Sequence, residues 1–183
     1  MRHGETNYQV KKKSFVYPSW SNKPLVKLTK KGEGEIKNLI PKIKKLKIDL
    51  IYSSDIFRAK RTAEIVAKEL GLNIILDKRP RDINLGVYHG KTKAEFYRDF
   101  PDPKKRFSKR PQGGESWNDV KKRMVDFLTK IDKKYKNKKI LIISHGDPLW
   151  LLEGVIKGMT NQELLDEIFI KKNYIKVGEL RKL

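Results

Sequence analysis

Lys139-Ile140-Leu141-Ile142-Ile143-Ser144-His145-Gly146-Asp147-Pro148 is the stretch that decides the fold. Residues 139–144 are a nearly continuous apolar run, the pattern of a strand buried on both faces. Asp147 offers a capping side chain, and Pro148 stands where the first helical turn tolerates it. A helix is therefore expected through Trp150, Leu151 and Val155.

The same grammar recurs upstream. Asp49 to Ser53 (DLIYS) reads as a short buried strand, and Ser54-Asp55 as the cap of a helix carrying Ile56, Ala59, Ala63, Val66 and Leu70 at helical spacing. Asn73 to Leu76 is a second strand. A loop through Pro80 and Gly90 and a short helix near Lys93 to Asp99 follow. Pro101 to Pro111 is a basic, proline-bounded connection. Ser116 opens a helix with Asp119 as its capping-box partner and Val120, Met124, Phe127, Leu128 and Ile131 as its apolar stripe. Thr29 caps a helix to about Lys45, which Pro41 should kink or end early. The stretch from Val10 to Leu28, with Pro18 and Pro24, reads as a long surface loop, and Ile175 to Leu180 as a closing strand. Alternating strands and helices specify an α/β layered sheet.

The 183 residues fit one domain, 1–183, with room for a packed core. Hydrophobic residues make up 38% and charged residues 36%, yet the apolar ones fall in periodic runs, unlike those of a disordered chain. Cysteine is absent, which excludes disulfides and thiolate metal sites and fits a cytoplasmic setting. The sequence shows no signal-peptide pattern and no apolar run long enough for a bilayer, so no membrane partner is expected. Lys and Arg number 43 against 22 Asp and Glu, a formal net charge of +21. Such a field concentrates anions, whether nucleic acid, acidic lipid or phosphorylated metabolites. The excess is mostly scattered lysine, as in Lys11-Lys12-Lys13 and Lys138-Lys139, the pattern of surface filler. A dedicated nucleic-acid surface interleaves arginine and aromatic residues in one patch, so nucleic acid is compatible but not favoured.

In open α/β sheets, ligands bind beyond the carboxyl ends of strands, where helix N-termini offer free N–H groups to phosphate. Two strand-to-helix junctions here carry unusual residues: His145-Gly146 after LIIS, and Arg58 in the first helical turn after LIYS. An arginine there opposes the helix dipole unless an anion lies between them, and otherwise is merely solvated. His145 is either a ligand to that anion or a histidine hydrogen-bonded at the sheet rim. Arg2-His3-Gly4 is the third such element.

With these residues placed, the chain resembles the histidine phosphatase (phosphoglycerate mutase-like) superfamily. Arg2-His3-Gly4-Glu5-Thr6 is similar to its RHG signature, and residues 53–63 (SSDIFRAKRTA) to its second motif. Arg81-Asp82-Ile83-Asn84-Leu85-Gly86, Gly113-Gly114-Glu115-Ser116 and Ser144-His145-Gly146 complete the set in the family's order. The resemblance implies a three-layer α/β/α sandwich with a mostly parallel central sheet. It further implies a phosphomonoester hydrolase acting on a small phosphorylated metabolite. His3 is then the nucleophile that forms a phosphohistidine. Arg2, Arg58, His145 and Gly146 bind the phosphoryl oxygens, and no metal or cofactor is required. Asp82 falls where the family more often has Glu, and is either the acid or a carboxylate that orders its loop. Thr6, His89, Glu115 and Ser116 are secondary substrate-binding candidates; against this, His89 reads as a turn residue and Ser116 as a helix cap.

A buried strand precedes RHG in this family, and here only Met1 does. Losing several buried apolar side chains at ~1.5–3 kcal/mol each is comparable with the whole stability of a domain. A truncated chain, or a module excised from a longer protein, is therefore expected. Two alternatives to the phosphatase stand: a phosphoglycerate mutase-type phosphoryl transferase, and an inactive basic module binding RNA or a protein partner. The inactive module would fit within a larger enzyme such as an aminoacyl-tRNA synthetase, and is favoured if the missing strand leaves His3 disordered.

Overall fold

The computed structural model describes residues 1–19 and 25–182. Three parallel strands, β1 (Leu50–Ser54), β2 (Ile74–Asp77) and β3 (Ile140–Ile143), form a sheet in the order β2-β1-β3. Ile51 pairs with Ile74 on one side and Leu141 on the other.

Side-chain alternation along the strands sends apolar groups to both faces. Ile51, Leu141 and Ile143 pack on one face against α2 (Lys30–Lys45) and α3 (Phe57–Leu70), through Ile36, Ile40, Ile43, Ala63 and Val66. Tyr52, Ile140 and Ile142 face the other layer, α5 (Trp117–Lys134), α6 (Gly146–Ile156) and α7 (Asn161–Phe169), through Val120, Met124, Phe127, Leu151 and Leu164. The expected three-layer α/β/α sandwich with a parallel sheet is what forms. Two short helices, α1 (Asn7–Lys11) and α4 (Lys93–Asp99), lie among the loops.

Several local expectations need correction. Pro41 does not end α2, which runs unbroken to Lys45. Its ring is on the exposed side, where the carbonyl it leaves unpaired can turn to water. Val10 and Lys11 belong to α1 rather than to a loop, because Thr6 and Gln9 form a capping box; residues 20–24 of that stretch lie outside the described residues. Ser54 is the last residue of β1 instead of a cap, and α3 starts from Ile56 without a side-chain cap. Asp147 sits inside α6, whose N-cap is His145 in extended backbone. The stretch Ile175 to Leu180 is not a strand, since Gly178 turns left-handed at φ 71°. It instead borders residues 1–3: Arg2 N–H donates to the Glu179 carbonyl at 3.0 Å and Gly178 N–H to the His3 carbonyl at 2.9 Å. On their other side residues 1–3 run parallel to β3, with His3 N–H on the Ser144 carbonyl at 3.0 Å.

Candidate active site

Parallel strands aim their carboxyl ends at one edge, and the backbone delivers His3, Arg58 and His145 there from three separate segments. The turn after His3 passes so close over α2 that a Cβ on Gly4 would stand 3.1 Å from the Gly32 carbonyl oxygen. A side chain there would make α2 give way by a few tenths of an ångström, so glycine suits the crossing.

His3 is 1% exposed. Its Nδ1 lies 2.8 Å from the Gly4 carbonyl oxygen, which can only accept, so that nitrogen carries the proton. Nε2 accepts from Arg58 Nε at 3.3 Å and keeps its lone pair toward the guanidinium. Burial, then Arg58 and Arg2, hold the His3 pKa well below its ordinary 6.5. The imidazole is therefore neutral near pH 7, as a nucleophile requires.

His145 is fully buried, 5.2 Å ring to ring from His3. Its Nε2 is 2.9 Å from Ser54 Oγ, which also accepts the Ile56 N–H. The Ser54 hydroxyl proton has no other acceptor among the described hydrogen bonds, so it points to Nε2 and the ring proton sits on Nδ1. Nδ1 is buried with no partner, 3.7 Å from Asp82 Oδ2 and beyond hydrogen-bond reach. An orphaned buried donor beside a cavity is a place waiting for an acceptor. Burial and then Arg58 keep His145 neutral as well.

Arg58 is 3% exposed and donates through Nη2 to Asp82 at 2.7 Å, its plane 4.3 Å from the Tyr17 ring centroid. Arg2 donates to the Ile175 carbonyl at 2.7 Å, lies over the Tyr174 ring, and buries Nε without a partner. Asp82 hangs on a clamped loop: Ser144 Oγ holds the Pro80 carbonyl at 2.6 Å, and Arg123 grips the carbonyls of Arg79, Arg81 and Asp82.

Arg2, Arg58, Asp82 and Gly146 line a cavity of about 410 Å³; His3 and His145 are not among its lining residues, His3 being bonded to Arg58 and His145 lying 3.7 Å from Asp82. Arg58 thus occupies the Nε2 lone pair of His3. His89 and Glu115 also line this cavity, and both are already engaged. His89 Nδ1 holds the Tyr17 carbonyl at 2.7 Å, and Glu115 is bound by Arg123 at 2.8 and 3.0 Å. Ser116 caps α5 and Thr6 caps α1, each through its side chain, and neither lines the cavity. Sequence reasoning missed Ser54, Tyr17, Asp147 and Tyr174. Asp147, half-buried at the start of α6, accepts from Tyr174 at 2.5 Å and Trp117 at 3.2 Å, and desolvation pushes its pKa up. Its only sequence signal was a carboxylate directly after His145-Gly146, which reads equally well as a cap.

Among the described residues no cluster of three or more His, Cys, Asp or Glu converges as metal ligands do, and no helix is long and apolar enough to cross a membrane. Fold and site together define an α/β protein with arginines and two buried imidazoles gathered about one cavity. The chain belongs to the histidine phosphatase superfamily (branch 1), whose family model matches residues 1–173. It is 31% identical over 165 residues to a probable phosphoglycerate mutase GpmB of Escherichia fergusonii, covering 87% of this chain and 74% of that one. It is 30% identical to the phosphoglycerate mutase-like protein 4 of Arabidopsis thaliana, covering 87% and 67% of the two chains. The solved structure of Bacillus stearothermophilus YhfR superposes with a TM-score of 0.75 at 31% identity, over 89% of this chain and 80% of that one. A putative alpha-ribazole-5'-P phosphatase from Escherichia coli shares the fold, with a TM-score of 0.79 at 20% identity over 97% and 84% of the chains.

Proposed function

We propose that this chain hydrolyses small phosphomonoesters through a phosphohistidine formed on His3. The observation that carries the reading is the hydrogen-bond state of His3: Nδ1–H fixed on the Gly4 carbonyl leaves Nε2 as a neutral nucleophile among guanidinium groups. A phosphoryl dianion competes for Arg58 and draws it from Nε2 and from Asp82. Nε2 attacks phosphorus in line, the N–P bond forms, and the ester P–O bond breaks. Asp82, freed from Arg58 as a carboxylate, takes up a proton from solvent and hands it to the leaving oxygen, which departs as the alcohol. Water then attacks phosphorus, Asp82 takes its proton, the N–P bond breaks, and inorganic phosphate leaves with His3 restored. Arg2, Arg58, His145 Nδ1–H and the Gly146 N–H at the start of α6 hold the equatorial oxygens through both steps. Fixed cations supply the neutralisation that a metal would, so a chelator should leave turnover intact.

Tyr97 and Phe169, which line the cavity, are 50% and 46% exposed, so water has access to it, which favours hydrolysis over transfer to a second substrate. The mutase reading keeps support from the name of the 31%-identical relative. An inactive binding module was the reading for a disordered His3, and His3 is buried and bonded. The test is hydrolysis of phenyl phosphate in the presence of a chelator, with His3→Ala as the control. Free phosphate that depends on His3 supports the reading. Activity that survives His3→Ala, or disappears with the chelator, overturns it, and an isomerised phosphoglycerate formed only with a bisphosphate primer points to the mutase.

A further inference from the structure

Among the described residues, eight of the arginines are ion-paired to a carboxylate. The exceptions are Arg2 and Arg106. Both line the same cavity, and both bury Nε with no acceptor. The buried side-chain atoms without a partner are Arg2 Nε, Arg106 Nε, His145 Nδ1 and Trp150 Nε1, so three of the four belong to groups facing or backing this one space. Buried donors are satisfied in native proteins, and a cluster of exceptions in a cavity marks where a ligand's acceptors go. Arg2 and His145 are explained by the transferring phosphoryl group. Arg106 is not, because it stands on the turn Pro103–Phe107 among Phe96, Tyr97 and Trp117, whereas Arg2 lies over Tyr174.

The surroundings of Arg106 are built. Its guanidinium lies 4.9, 4.8 and 5.5 Å from the ring centroids of Phe96, Tyr97 and Trp117. One Nη2 donor is used on the Phe100 carbonyl at 3.3 Å. Aromatic faces fix the plane of the fork and keep water from it, which strengthens any charge-assisted bond along the open edge. Lys93 and Lys109 line the same region with no ion pair among the described residues. Of the carboxylates that line the cavity, Asp82 is paired to Arg58 and Glu115 to Arg123, while Asp147, bonded to the neutral Tyr174 and Trp117, acts on Arg106 only through space without an ion pair. Phe96, Phe100, Trp117, Phe169 and Tyr174 line the same cavity.

We propose that Arg106 is the centre of a second anion subsite, so that the substrate is a phosphomonoester with an aromatic or apolar body and a second anionic group, carboxylate or phosphoryl, at its far end. This rests on the phosphatase reading for the first subsite but not on its chemistry, so binding tests it separately from turnover. The probes are benzylphosphonates, which cannot be hydrolysed, carrying on a short para spacer a neutral amide, a carboxylate or a second phosphonate. Calorimetry at fixed salt gives each Kd. The doubly anionic probes should bind roughly 10- to 100-fold tighter than the amide, the range of one charge-assisted contact. The stronger of the two identifies the second group. Arg106→Met keeps the stacked stem and should abolish the preference; Arg106→Lys keeps the charge without the fork and should retain only part of it. Equal binding of all three probes by the unaltered protein, or a preference unchanged in either variant, overturns the subsite. Phenyl phosphate hydrolysis by the same samples separates the two readings. An Arg106-dependent preference without any hydrolysis removes the phosphatase and keeps the subsite, and hydrolysis without the preference does the reverse.

Discussion

Replacing Arg58 by Met separates what the site does for chemistry from what it does for the fold. Arg58 makes three contacts in the ligand-free protein: Nε to His3 Nε2 at 3.3 Å, Nη2 to Asp82 at 2.7 Å, and a stack on Tyr17 at 4.3 Å. Removing one partner of a fully buried ion pair costs about 3–5 kcal/mol. Asp82 keeps 18% exposure and the Ile83 N–H, so its share is nearer ~1–2 kcal/mol. Against this, the variant no longer buries a guanidinium beside Arg2 and two imidazoles, a cost of similar size. The two nearly cancel, and Tm should move by no more than about 4 °C. Catalysis has no such compensation. Losing one preorganised anion donor costs on the order of 10²–10³ in rate. Arg58 is also the largest charge holding the His3 pKa down, so that value should rise toward 6.5 when followed by NMR. Phosphatase assay, thermal melt and NMR titration on one variant decide it. Activity within tenfold of the unaltered protein, or a His3 titration that does not move, would refute the reasoning.

Other expectations follow from the same geometry. Both buried histidines bind a proton less readily than in the unfolded chain, so the stability they confer is present above the unfolded value of 6.5 and is lost as pH falls below it. Urea melts of the ligand-free protein should lose up to about 1.4 kcal/mol per pH unit per histidine once pH is a unit or more below that point, and His145→Gln should remove one histidine's share of the slope. A Cβ added at Gly146 would overlap the Tyr174 hydroxyl and stand 2.7 Å from its Cζ. Gly146→Ala should therefore push Tyr174 off Asp147, loosen Arg2 and weaken vanadate binding at least tenfold, with Tyr174→Phe recovering part of the loss. Ser54→Ala removes the donor that sets the His145 tautomer; turnover should fall about 10-fold or more while the fold holds, and ¹⁵N shifts should show the proton no longer confined to Nδ1.

The strands were legible because Ile140–Ile143 and Leu50–Ser54 are buried on both faces, and a continuous apolar run has few other homes. A capping box placed α5 well for the same local reason, Ser116 with Asp119. What escaped depends on contacts distant in sequence. Ser54 and Asp147 have the composition of helix caps, and only the neighbours His145, Tyr174 and Trp117, brought in by other elements, convert them to site residues. Tyr17 lies in an irregular stretch without periodicity, and its place over Arg58 is set by His89 holding its carbonyl. Arg106 was hidden in a basic run where charge count alone could not distinguish it from surface lysine.

The central claim is that phosphorus is transferred to Nε2 of His3, and trapping the intermediate tests it most directly. Rapid quenching into alkali during turnover of a labelled aryl phosphate, followed by peptide mass spectrometry, should find a base-stable, acid-labile phosphoryl group on His3 and none in His3→Ala. Label on another residue, or steady turnover with no phosphoenzyme at any quench time, would contradict it.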